Sequence, residues 1–104
     1  SIFTTILGLS SANVFMHVNT WGSEITWLIK DTAGVTIPGC SGGPYPNHVE
    51  VQVPDCNPGN SAWTLECHDD AYDGWHNGFI SINGQHHCGD YNTFSRHFFS
   101  YNNG

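Results

Sequence analysis

His48-Val49-Glu50-Val51-Gln52-Val53 alternates without a break between a polar side chain and a valine. Successive side chains of an extended chain point to opposite faces, so Val49, Val51 and Val53 read as a core-facing row and His48, Glu50 and Gln52 as a water-facing row. The same period of two recurs on both sides of this stretch. In residues 13–20, Val14, Met16 and Val18 oppose Phe15, His17 and Asn19. In residues 24–30 the inward set is Ile25, Trp27 and Ile29, and from Ala62 to Cys67 it is Trp63, Leu65 and Cys67. Phe79-Ile80-Ser81-Ile82 and a segment from Tyr91 to Tyr101 supply the last strands, and Ile2 to Leu9 the first.

The segments between these strands carry turn chemistry. They are Asp31 to Gly34, Pro38 to Asn47 with its Ser-Gly-Gly-Pro-Tyr-Pro run, Asp55 to Asn60, and Asn83-Gly84, a pair that favours a type I′ hairpin. No segment sustains a helical period. Seven to eight short strands at this spacing predict one all-β domain over residues 1–104, an antiparallel β-sandwich or jelly roll. The aromatics from Phe94 to Tyr101 leave two readings of the last strand: a buried strand, which is preferred, or an aromatic edge shown to a partner.

Only 11% of the residues are charged, against about 25% in ordinary soluble domains. Nine acids face two bases, Lys30 and Arg96, for a formal charge of -7. Nucleic acid is excluded as a partner, because phosphate neutralisation needs clustered Lys and Arg. An anionic membrane surface is excluded on the same ground, and no apolar run approaches the roughly 20 residues of a membrane span. No basic-then-apolar leader precedes the first strand, which gives the expectation of a mature chain. There is no N-x-S/T sequon.

Cys40, Cys56, Cys67 and Cys88 are even in number and contain no C-x-x-C pair, so they read as two disulfides of an oxidising, extracellular compartment rather than as a zinc site. Of three pairings, Cys40 with Cys56 and Cys67 with Cys88 is preferred, because each pair is local and brackets a turn-rich segment. Each would close a loop worth about 3 kcal/mol in the chain-entropy account.

Three pieces occur together: Asn19-Thr20-Trp21-Gly22-Ser23-Glu24-Ile25-Thr26-Trp27, Cys40-Ser41-Gly42-Gly43-Pro44-Tyr45, and Trp63-Thr64-Leu65-Glu66-Cys67 running into Asp73-Gly74-Trp75 and Phe79-Ile80-Ser81-Ile82. In this order, and over most of the chain, they resemble a class of secreted β-sandwich modules whose late loop reads like D-S-Y-G-D-G-W-N-G. The resemblance implies an adhesive, matrix or recognition part of extracellular proteins such as those of bacteria, algae and marine invertebrates, without catalysis. Asp69, Asp73, Gly74, Trp75 and Gly78 fit the loop pattern, whereas Ala71 and Tyr72 stand where that pattern has Tyr-Gly.

The loop itself, His68-Asp69-Asp70-Ala71-Tyr72-Asp73-Gly74-Trp75-His76-Asn77-Gly78, concentrates the candidate chemistry. A regular calcium loop needs an oxygen at every second position, and Ala71 breaks that pattern. An irregular calcium site from Asp69, Asp70 and Asp73 stands beside the reading in which these carboxylates only accept backbone N–H groups in turns. No cofactor is required. Tyr72, Asp73, Trp75, His76 and Asn77 form a candidate ligand set, with Trp75 either stacking on a sugar ring or packing in the core. His68 and His76 could converge on a transition metal, while His86 and His87, being adjacent on a strand, point to opposite faces.

No G-x-S-x-G, H-E-x-x-H or other catalytic pattern occurs, so no enzyme is expected. Few Lys or Glu side chains are left to keep neighbouring molecules apart by repulsion or side-chain entropy, so the surface is expected to associate easily. The expectation is a secreted extracellular-matrix or skeletal, biomineral-associated protein acting by self-association and by binding a mineral surface. The alternative is a lectin-like module that binds glycans with the help of calcium.

Overall fold

The computed structural model describes residues 13–59, 61–70, 74–89 and 96–101. The strand expected over Ile2 to Leu9 and the part of the last segment from Tyr91 to Ser95 lie outside them. The described residues form eight strands: β1 (Val14–Val18), β2 (Ile25–Lys30), β3 (Thr36–Gly42), β4 (Val49–Gln52), β5 (Trp63–Asp69), β6 (Phe79–Ile82), β7 (Gln85–His87) and β8 (Arg96–Tyr101). They pair antiparallel into two four-stranded sheets, ordered β4-β1-β6-β7 and β3-β2-β5-β8. The all-β sandwich expected from the alternation, with the two disulfides expected from the four cysteines, is the observed architecture.

Alternation builds the core directly. Val14, Met16, Val18, Ile80 and Ile82 of the first sheet face Ile25, Trp27, Ile29, Trp63, Leu65 and Cys67 of the second, all buried. Each fully buried aliphatic side chain contributes roughly 1.5–3 kcal/mol by leaving water. Val49, Val51 and Val53 also face inward but are only half-buried. Among the described residues β4 is the edge of its sheet and has a neighbour on one side alone.

The connections follow their turn signals. Asp31 Oδ1 accepts the N–H groups of Ala33 and Val35 at 2.9 and 3.0 Å, closing the β2–β3 hairpin. Asn83 and Gly84 have φ of 51° and 85°, as a type I′ turn requires, and Ile82 pairs with Gln85. Pro38 to Asn47 departs from expectation, because the first part of that span belongs to β3. Proline is tolerated there because β3 is an edge strand, and the register with β2 shifts between Leu28 and Lys30.

The disulfides are Cys40–Cys56 and Cys67–Cys88, the preferred pairing. Cys40 lies on β3 and Cys56 just beyond β4; Cys67 lies on β5 and Cys88 immediately after β7. Each therefore ties one sheet to the chain leaving the other. The preference for a buried last strand does not hold at Phe99, which is 37% exposed. Phe99 pairs with Leu65 and shares its inward face, but among the described residues the facing sheet ends at the three-residue β7.

Candidate functional site

The loop from β5 to β6 divides its residues differently from the sequence expectation. Trp75 is fully buried and its Nε1–H donates to the His68 carbonyl at 2.9 Å, so its ring is packing and is not presented to a ligand. Tyr72 and Asp73 lie outside the described residues. His76 and Asn77 follow with φ of 52° and 68°, and the Asn19 side-chain amide donates to the His76 carbonyl at 2.9 Å. Asn77 is exposed and His76 half-buried.

Asp69 ends β5 on its inward face and is buried, whereas Asp70 is exposed. The two neighbouring carboxylates therefore sit in different environments, as expected for successive residues leaving a strand. Among the described residues no three His, Cys, Asp or Glu side chains are grouped so as to hold a metal. The Glu24 carbonyl accepts the Asp70 N–H at 3.2 Å. Glu24 Oε1 is buried there without a hydrogen-bond partner among the described residues. His68 does not converge with His76, because its Nε2 lies 3.0 Å from Glu66 Oε1 on the outer face of β5.

That outer face carries an ion-paired chain. Glu66 Oε2 is 2.8 Å from Lys30 Nζ, with His68 on the other carboxylate oxygen. Burial pushes the Glu66 carboxyl up, but hydrogen bonds and charge from Lys30 and His68 outweigh it and hold the group below its ordinary value. In the core, Trp27 Nε1–H donates to the Tyr45 hydroxyl at 2.8 Å. Burial raises the phenol, and the bond from Trp27 offsets part of the rise.

At the same end as the 74–78 loop stands a residue that the alternation could not assign. Trp21 precedes a single 3-10 turn at Gly22–Glu24, holds φ 59° and ψ 36°, and is 55% exposed. Its ring lies 6.5 Å from that of His76. The left-handed backbone is sterically costly for a bulky residue. It is fixed by Glu24 N–H on the Trp21 carbonyl, by Gly22 N–H on Asn47 Oδ1 and by Tyr45 N–H on the Gly22 carbonyl, at 2.9–3.0 Å. The sequence signal was the Trp-Gly pair between two strands, where a tryptophan has no core face to join.

A second feature occupies the solvent side of the first sheet. His17 is opposite Glu50 on one side and Phe79 on the other. The His17 and Phe79 rings stack at 5.0 Å and 21°, and Phe79 stacks on His86 at 3.9 Å and 18°. His17 Nδ1 is 3.0 Å from Glu50 Oε2, and Phe15 meets Phe79 edge-on at 6.1 Å. Strands lie about 4.8 Å apart, so rings stacked from strand to strand stand up from the sheet. Their faces are spent on one another and their edges point to water. The result is a flat comb across all four strands, with imidazole edges along it.

A third feature is a pocket of about 200 Å³ at the hairpin end of the sandwich, where the short β7 fails to cover β8. Trp63, Phe99 and Tyr101 line it from one sheet, Ile82 and His87 from the other, with Asn83 and Gln85 from the β6–β7 hairpin. Trp63 and Tyr101 stack at 5.2 Å, and His87 and Phe99 lie 4.3 Å apart. Trp63 Nε1 is buried with no hydrogen-bond partner among the described residues. No helix among those residues is long and apolar enough to cross a membrane. No family model, curated protein or solved structure matches the chain.

Proposed function

We propose that this is a secreted, non-catalytic matrix or skeletal protein that acts by self-association and by binding an oxygen-rich mineral surface. The observation that carries the reading is the ring comb Glu50–His17–Phe79–His86 on the open face of the first sheet. A flat row of imidazole edges hydrogen-bonds an extended array of neutral hydroxyl groups, such as the silanols of hydroxylated silica, without needing a pocket. The 11% charged composition supports the same reading, because few long charged side chains lose rotamer freedom when neighbouring molecules meet. Two disulfides fit an extracellular location, and the likeness of the loops to secreted modules points the same way.

The test is adsorption to hydroxylated silica particles, comparing the wild type with the double variant His17→Gln, His86→Gln. Both side chains are outside the core, so the fold is retained, and the expected result is a several-fold loss of bound protein. Equal adsorption by the variant removes this face as the binding element. Static light scattering against concentration checks self-association, which a constant monomer mass would exclude.

The second reading is a lectin-like module, calcium-assisted. Trp21 favours it, with more than half of its surface open to water beside His76 and Asn77, since an exposed indole suits the C–H face of a sugar ring. A glycan array with and without millimolar calcium tests it, and an array without binders in either condition ends it.

A further inference from the structure

We infer that the ring-lined pocket of one molecule receives the Trp21 side chain of a second copy, joining molecules head to tail. The inference rests on the self-association reading above and names the surfaces that carry it.

Knob and socket lie at opposite ends of the sandwich. Trp21 sits where β1 finishes and β2 begins. The pocket is built where β1 begins and β2 finishes, since Ile82 pairs with Val14 and Asn83 N–H donates to the Asn13 carbonyl. The knob is preorganised: its left-handed backbone is pinned by the bonds at Glu24, Gly22 and Tyr45, so little freedom is lost when the ring is buried. Tryptophan held in this way is the residue type that most often dominates an interface.

The socket matches it in chemistry. About 200 Å³ walled by Trp63, His87, Phe99 and Tyr101 accommodates one ring system among rings. The side-chain oxygens of Asn83 and Gln85 supply acceptors for the incoming indole N–H. Phe99, exposed on the inward face of β8, is covered by the same event. Among the described residues no Asp, Glu, Lys or Arg side chain lines the pocket, so none of their charges is desolvated on entry. Because the two surfaces differ, the contact is heterologous and does not close a two-fold dimer, and growth continues head to tail into a ring or an open filament.

Sedimentation velocity over a concentration series tests this with two variants, Trp21→Ala and Gln85→Arg, the second placing a bulky charge at the socket mouth. Both positions are exposed, and thermal melts check that the fold is kept. Wild type is expected to grow in mean mass with concentration, and each variant alone to associate at least ~30-fold more weakly, as loss of an interface hot spot implies. An equimolar mixture is expected to stop at dimers, because Trp21→Ala keeps a free socket and Gln85→Arg keeps a free knob. Free indole added to the wild type shortens the assemblies by competing for the socket. Unchanged association of Trp21→Ala overturns the inference but leaves self-association standing through another surface. A mixture that stays monomeric, or indole without effect, also overturns it. A wild type that is monomeric throughout removes both readings.

Discussion

At the scale of single residues, the decisive events are close approaches and unspent polar atoms. A Cβ on Gly42 would collide with the Tyr45 hydroxyl and lie 2.8 Å from Trp27 Nε1, the two groups whose hydrogen bond satisfies the buried indole. Gly42→Ala is therefore expected to destabilise the fold by about 1–3 kcal/mol, as overpacking in a core does. Urea unfolding followed by tryptophan fluorescence measures it, and a midpoint equal to that of the wild type contradicts the account. Trp27 and Trp63 were legible as core residues from alternation, and both are buried. Trp75 was open to two readings, because it lies in a loop where no period applies. Its burial is decided by the His68 carbonyl that takes its N–H, a contact across the loop that sequence spacing does not encode.

At the scale of elements, the strands were readable and the edges were not. The alternation in β1, β2 and β5 gave the inward residues correctly, since both faces of a strand between two neighbours are constrained. β3 was hidden inside a Ser-Gly-Gly-Pro-Tyr-Pro context because an edge strand tolerates residues that would break an inner one. Across β2 and β5, the Lys30–Glu66–His68 chain makes stability depend on pH. The Glu66 carboxyl is held below its ordinary value of about 4.5, so its contribution is fully present above that pH and is lost as pH falls through the lower, folded value. Urea midpoints should decline over that acidic range in the wild type, and the decline should be shallower in Glu66→Gln. Across β1, β6 and β7, Phe79→Ala removes the central ring of the comb. It is expected to cost about 0.5–1.5 kcal/mol for each lost ring pair and to lower adsorption to silica, read from the same melts and binding isotherms.

At the scale of the whole molecule, two staples join the sheets at opposite sides. They close loops with sequence separations of 16 and 21 residues, worth about 3 kcal/mol each. Replacing Cys40 and Cys56 by serine should lower stability by that order in urea, and full reduction should unfold the domain at moderate temperature, as seen by loss of near-ultraviolet dichroism. A reduced protein that keeps its signal would mean that the core alone suffices. By itself the sequence determined the strand periodicity, the turn at Asn83-Gly84 and the two-disulfide framework, because each is a local property of spacing and residue type. Only the tertiary structure decided that Phe79 stacks between His17 and His86, that Trp21 and the Trp63 pocket occupy opposite ends, and that Asp69 and Asp70 part company. Those relations come from strand order and register, which bring together residues that are distant along the chain.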